Sequence, residues 1–365
     1  MQKMRVGILF GGKSVEHEVS VQSARGIFGA MDPAKFDVVL IGIDKLGRWQ
    51  VLPPALLLNA ATPVSALPDG GTEELAFVPG SAAVSEEPSR FPRLDVVIPV
   101  LHGSHGEDGT VQGLLRLMNV PFVGAGVLGS AVGMDKDVAK RLLRDAGIPV
   151  ARFLTLAANR ALAMSFEAVV TEVGDPFFVK PCNAGSSVGV SKVQTAAEWA
   201  AARDLALRYD RKLLAEEYVA AREVEVGVLG NEDPQASVCG EIIPRHEFYS
   251  YAAKYLDENG AELRIPADLP ADVTERVRHL ALQAFAVLEC SGLARVDFFV
   301  TPDFRVLVNE INTLPGFTRV SMYPKLWEAT GVPYSTLIER LIALALERSM
   351  EERKLETEYR PELEV

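Results

Sequence analysis

The chain has 365 residues, 48% hydrophobic and 24% charged, with a formal net charge of −12. That length allows two or three domains of ordinary size, with ample apolar material for their cores. The acidic balance argues against a nucleic-acid partner, and the three scattered cysteines argue against a disulfide framework or a zinc knuckle.

The opening "MQKMRVGILFGG" holds too short an apolar run for a signal peptide, and nothing later is long enough to span a membrane. A cytoplasmic protein without a membrane partner is the expectation. Apolar runs closed by turn signals recur early: "RVGILF" (5–10), "DVVLIGI" (37–43) and "DVVIPVL" (95–101). Each predicts a buried strand, and a helix over 18–30 between the first two gives the alternation of a parallel α/β domain. Residues 59–93 are rich in Pro, Ser, Ala and Gly without periodicity, which predicts a surface excursion. "MDKDVAKRLLRDAGIPV" (134–150) predicts a helix stopped at Gly147, with Pro149 beyond it, that opens a second domain. "PFFVKP", "VGVSKV" and "KLLAEEYV" predict strands, with a helix near 195–209 before the last. "REVEVGVLG" begins an antiparallel set, interrupted by a helix near 271–290. "STLIERLIALALERSM" (335–350) is an amphipathic terminal helix, and 351–365 reads as a charged, solvated tail.

Near the end of that set, "RVLVNEINTLPGFT" (305–318) is an apolar strand that finishes with an acid and an amide. "LARVDFFV" (293–300) precedes it, and the "TPDFR" between them carries turn residues. A hairpin centred between Asp303 and Phe304 sets Asp297 opposite Glu310 and Arg295 opposite Asn312. Opposed side chains have Cβ atoms roughly 5 Å apart. Two carboxylates so close call for a cation, and oxygen ligands suit Mg²⁺ held together with substrate phosphates. An Arg–carboxylate network without metal is the plainer alternative.

Two stretches compete as phosphate sites. Gly7 through Ser14, "GILFGGKS", matches the P-loop expression, but Gly7 lies inside an apolar run and leaves too little loop. "FVKPCNAGSSVGVSKV" (178–193) is the better candidate: a strand delivers Lys180, and Gly185, Ser186, Ser187 and Gly189 follow as a small-residue loop. Such loops bring backbone N–H groups close to anions.

In sequence order, "GGKSVEHEVS", "LHGSHGEDGTVQG", "MDKDVAKRLLRDAGIPV", "VKPCNAGSSVGVSKV", "EEYV", "KYLDENGAEL", "ARVDFFV" and "NEINTLPGFT" resemble the motifs of D-alanine–D-alanine ligases. These are members of the ATP-grasp superfamily, and the resemblance runs from about residue 4 to about 348. It implies an α/β and α+β protein with an ATP-grasp fold: an N-terminal parallel α/β domain (1–131), a small central domain (132–219) and a C-terminal domain with an antiparallel sheet (220–350). The implied reaction joins two D-alanines through a D-alanyl phosphate, driven by ATP, for cell-wall peptidoglycan.

Carried residue by residue, the resemblance implies that Asp297, Glu310 and Asn312 hold two Mg²⁺ ions, with Mn²⁺ as a substitute. Arg295 would stabilise the transferring phosphoryl group. Lys136 and Lys180 would contact the ATP phosphates, and Glu216 the adenine edge. The backbone of the hinge around Glu217 and Val219 would lie close to the base, and Glu223 would accept from the ribose. Glu16 would meet the first D-alanine's ammonium and His102 its carboxylate, with Lys254 and Ser321 near the second carboxylate. Tyr255 and Ser186 would complete a hydrogen-bonded set with Glu16. A homodimer and activation by K⁺ are suggested on the same ground. Ser250, where the family often has Asp, and Cys182, at a small-residue position, depart from the pattern. Another ATP-grasp carboxylate–amine ligase is disfavoured by the Glu16 motif and by "KY" at 254–255. A nucleotide-binding regulator would not need Arg295 beside Asp297, Glu310 and Asn312.

Overall fold

The computed structural model describes residues 3–58, 93–244 and 261–356. Four strands, β1 (Met4–Gly11), β2 (Phe36–Ile43), β3 (Trp49–Leu52) and β4 (Val96–Val100), form the first sheet in the order β3-β2-β1-β4. β1 is parallel to both β2 and β4, whereas β3 runs antiparallel to β2. Val6, Ile8 and Phe10 pack beneath the helix His17–Ala30, and Leu9 packs with Val111 and Leu115 of the helix Thr110–Leu117 on the other side. Both faces are covered, which is why these strands read as unbroken apolar runs. Gly7 sits mid-strand, paired with Val39 and Val97, so no phosphate loop begins there.

The second sheet contains β5 (Phe153–Ala157), β6 (Phe177–Pro181), β7 (Ser191–Val193) and β8 (Lys212–Glu217), all antiparallel, in the order β5-β8-β6-β7. Its apolar face meets the helices Phe166–Val173 and Ala196–Ala206 around Phe177 and Trp199. Thr195 and Glu198 close a reciprocal cap at the start of the latter helix.

The third sheet is the largest: β9 (Arg222–Gly230), β10 (Gln235–Pro244), β11 (Ala261–Arg264), β12 (Gly292–Val300) and β13 (Val306–Asn312), in the order β11-β10-β9-β12-β13. The helix Ala271–Val287 packs Val273, Val277, Ala281 and Phe285 against its back. The helix Lys136–Asp145, capped by the Asp135 side chain, adds Ala139 and Leu143 to the same core. It ends where Gly147 takes a positive φ, and the Val308 N–H then donates to the Pro149 carbonyl. The terminal helix Tyr334–Glu352 buries Leu337, Ile338, Leu341 and Ile342 in a core that also contains β1 and the ends of β9 and β12. Among the described residues no helix is long and apolar enough to cross a membrane.

The hairpin needs one correction. Arg295 faces Asn312 and Asp297 faces Glu310, as the sequence predicts, but Phe298 faces Val308 and Val300 faces Val306. The turn is therefore centred on Asp303, where Phe304 adopts a left-handed φ and its N–H donates to the Thr301 carbonyl. Asn309 is an extra residue, a β-bulge, and it moves the register by one before Glu310. The excursion at 59–92, Lys254, Tyr255, Ser250 and the tail from 357 lie outside the described residues.

Candidate active site

A cleft with a cavity volume of about 280 Å³ lies between the second and third sheets, lined by both of them and by the 184–190 loop. That is near the lower end of the roughly 300–1,000 Å³ that small-molecule sites usually measure.

The hairpin supplies one wall. Arg295 Nε and Nη2 donate to the two Asp297 oxygens, each at 2.7 Å, and Nε also stands 2.9 Å from Glu225 Oε2 on β9. Burial works against the guanidinium's charge, yet Asp297 and Glu225 hold its pKa far above the ordinary value. It stays a cation. The Asn312 amide donates to Asp297 at 3.0 Å, which leaves the amide oxygen as a ligand atom. Glu310 lines the cleft 3.5 Å from Lys136 Nζ. Asn309, brought to the same face by the bulge, lines it too.

The loop after β6 forms the lid. Ser186 and Ser187 both take left-handed φ values, as does Gly189, which curls the loop over the cleft. Its foot is fixed by Asn183, whose backbone N–H and amide both donate to Asp210. Lys136 Nζ donates to the Ala184 carbonyl at 2.8 Å. The Ser186 hydroxyl donates to Glu16, so the loop reaches across to the first sheet's domain. Glu16 is buried between two glycines, and a Cβ on Gly103 or Gly185 would come within 3.0 or 3.1 Å of its carboxylate. Either alanine would crowd it.

Beside Glu16, His102 ends the β4 segment with its Nδ1–H donating to the Leu314 carbonyl at 3.1 Å. That tautomer leaves Nε2 as a buried acceptor with no hydrogen-bond partner among the described residues. Burial holds the imidazole below its ordinary pKa despite the nearby Glu16. Glu107 also lines the cleft, and its carboxylate accepts from the Gly103 N–H at 2.7 Å. Burial, and then the neighbouring Glu16 charge, push its pKa up to about 8.

The far wall is the end of β8. Lys180 Nζ stands 2.5 Å from Glu216 Oε1, and Lys140 Nζ stands 2.7 Å from Glu216 Oε2. Glu217 alternates outward, where its carboxylate accepts from the Arg152 backbone and side chain. Its backbone, with Tyr218, Val219 and Glu223, still edges the cleft. Ser321 is not among the lining residues, nor are Glu16, His102, Arg295 and Asp297; Ser321 stands at the start of the helix Met322–Ala329 and bonds Thr318. Sequence reasoning missed Lys140, Glu107, Glu225 and Asn309. Lys140 follows Lys136 by four, a spacing that shares one helix face, and that signal was available.

The D-ala D-ala ligase N-terminus family model matches residues 5–125 and the C-terminus model matches 142–343. The chain belongs to the D-alanine–D-alanine ligase family. It is 56% identical over 354 residues to D-alanine–D-alanine ligase A of Chromobacterium violaceum, covering 95% of this chain and 96% of that one. Identity to D-alanine–D-alanine ligase A of Escherichia coli strain K12 is 51% over 362 residues, 98% of this chain and all of the relative. The solved D-alanine–D-alanine ligase of Coxiella burnetii superposes with a TM-score of 0.87 at 42% identity, covering 97% of each chain. A D-Ala:D-Ser ligase from Enterococcus faecalis superposes at 0.83 with 34% identity, covering 94% of this chain and 100% of the other. The fold is accordingly that of the ATP-grasp ligases.

Proposed function

We propose that the cleft joins two D-alanines into D-alanyl-D-alanine through a D-alanyl phosphate, using ATP, for peptidoglycan synthesis. The observation that carries this reading is the convergence on one cleft of Lys136, Lys180, Glu310 and Ser186, whose hydroxyl bonds Glu16. Relatives at 51–56% identity that bear the D-alanine–D-alanine ligase name support it.

The first D-alanine lies with its ammonium at Glu16 and its carboxylate near His102. That carboxylate attacks the γ-phosphorus of ATP and ADP leaves. Lys136 and Lys180 hold the phosphates, and Arg295 meets the charge that spreads over the transferring group. The second D-alanine, placed by Lys254 and Ser321, attacks the acyl carbon as a free amine, and phosphate departs with the acyl C–O bonding pair. Ser186, Glu16 and Tyr255 keep the loop closed, which excludes the water that would hydrolyse the acylphosphate. Glu216 and the hinge backbone at Glu217 and Val219 take the adenine, and Glu223 the ribose.

Two carboxylates and an amide oxygen on one sheet face fit Mg²⁺ or Mn²⁺, and no His or Cys joins them. Asp297, Glu310 and Asn312 would hold the ions, which would neutralise phosphate charge. No group of three or more His, Cys, Asp or Glu forms a ready cage among the described residues, so phosphate oxygens must complete the shell. The division at 131, 219 and 350 is supported by a separate core for the central sheet, although the helix Lys136–Asp145 packs on the third sheet. K⁺ activation, a homodimer and a cytoplasmic location belong to the same reading and rest on the resemblance and the sequence.

Phosphate release from ATP and Mg²⁺, with D-alanine, D-serine, D-lactate and L-alanine offered in turn, tests this. D-alanine should give the fastest release and a dipeptide product. Faster release with any of the others would replace the substrate assignment.

A further inference from the structure

The helix Lys136–Asp145 presents two lysines one turn apart on its cleft side. Lys136 reaches the loop and Glu310, whereas Lys140 ends in the protein interior against Glu216. The Lys140 and Glu216 side chains are each only 2% exposed, while Lys180 on Glu216's other oxygen is 13% exposed and lines the cleft. Two ammoniums thus serve one carboxylate, and only one of them can reach an incoming ligand. A buried carboxylate that loses its sole cation is costly, because neither water nor charge then compensates it.

We propose that Lys140 is a positioning residue, the permanent counter-ion of Glu216 that frees Lys180 to leave for the nucleotide phosphates. This rests on the reading above that ATP binds with its base at Glu216. When the triphosphate draws Lys180 away, Glu216 Oε1 becomes the acceptor for the adenine amino group, and Lys140 keeps the carboxylate ionised and in place. Base recognition and phosphate capture are then one exchange of partners. Burial opposes the charge of both partners and holds the Lys140 pKa below its ordinary value, while the two ammoniums, Lys140 first, hold the Glu216 pKa below its own.

The test uses the full chain carrying Lys140→Met, with ATP affinity measured by titration calorimetry and adenosine by inhibition of turnover. ATP binding should weaken about 10–100-fold, because its phosphates strip Glu216 of its remaining cation. Adenosine has no phosphate to draw Lys180 away, so its affinity should change by less than about threefold. Equal losses for both ligands mark a merely structural role and overturn the proposal, as does unchanged ATP affinity. If Lys140→Met does not fold, Lys140→Gln decides by the same comparison: a loss for ATP at least about fivefold greater than for adenosine supports the exchange, and equal losses overturn it. Glu216→Gln alone checks the underlying reading: if the preference for adenosine over inosine survives, the base does not sit at Glu216, whatever Lys140 does.

Discussion

The two ends of the cleft carry opposite charge imbalances. At the hairpin end, Asp297 and Glu225 share Arg295, and Glu310 has Lys136 only at 3.5 Å. At the β8 end, Lys140 and Lys180 both stand on Glu216, and both also feel the charge of Glu310. Carboxylates crowd the one end, and two ammoniums crowd one carboxylate at the other. A triphosphate laid between them is attracted by the lysines but repelled by the hairpin acids unless cations accompany it. On the proposed reading, that difference favours metal ions at the hairpin and the base at the opposite end.

Breaking the acidic end should have the largest effect. Glu310→Gln is nearly isosteric and should leave the thermal midpoint close to the parent's, while kcat falls about 10²-fold or more. Near-normal turnover at ordinary Mg²⁺ would remove the hairpin from the chemistry. Breaking the cationic end should act on binding: Lys180→Ala should raise KM for ATP about 10–100-fold. Lys13→Ala, whose parent side chain lies across Gly47 outside the cleft, should change it less than about twofold. The reverse pattern would restore the P-loop reading.

The bridge between domains offers a sharper, smaller test. Ser186→Ala removes the hydroxyl that donates to Glu16, so the closed loop should leak. Phosphate released per dipeptide formed should rise from near one to about two to five as water intercepts the acylphosphate. A ratio that stays at one would mean that the bridge does not guard the intermediate. A stability test concerns Glu107, whose carboxyl is pushed from 4.5 up to about 8. Between those values the folded chain holds a proton that the unfolded chain has released, so stability falls as pH rises across that window. Glu107→Gln should abolish that slope, and its thermal midpoint relative to the parent should climb from pH 5 to pH 8. A constant difference would contradict the raised pKa.

How much of this was legible in the sequence depends on the range of the forces involved. Strands buried on both faces announce themselves as apolar runs, and the facing of Asp297 and Glu310 followed from alternation. The outward turn of Glu217 beside Glu216 follows from the same rule. The helix Val127–Met134 was not legible, because two of its eight residues are glycines. Those glycines are there for close approach: a Cβ on Gly129 would collide with the Glu289 carbonyl, and one on Gly133 would press on Thr313 at 2.9 Å. Glu225 read as one more acid on an alternating strand until β9 was placed beside β12. The left-handed Ser186 and Ser187 carry no local signature, since tertiary contact with Glu16 favours that curl.

The bulge at Asn309 has a consequence for how this hairpin tolerates change in length. Val306 and Val308 face the apolar core, whereas Glu310 and Asn312, of the same even parity, face the cleft. A strand read in steps of two cannot do both, so β13 contains two hydropathy frames, and Asn309 is the spare letter at the junction. Excising Asn309 would leave every ladder pair as it is, Val308 with Phe298 and Glu310 with Asp297. Excising Val308 would instead slide the asparagine into the core frame, and inserting a residue after Glu310 would turn Asn312 away from its partners. Length is negotiable at one position of this strand, and that position is the frame shift itself.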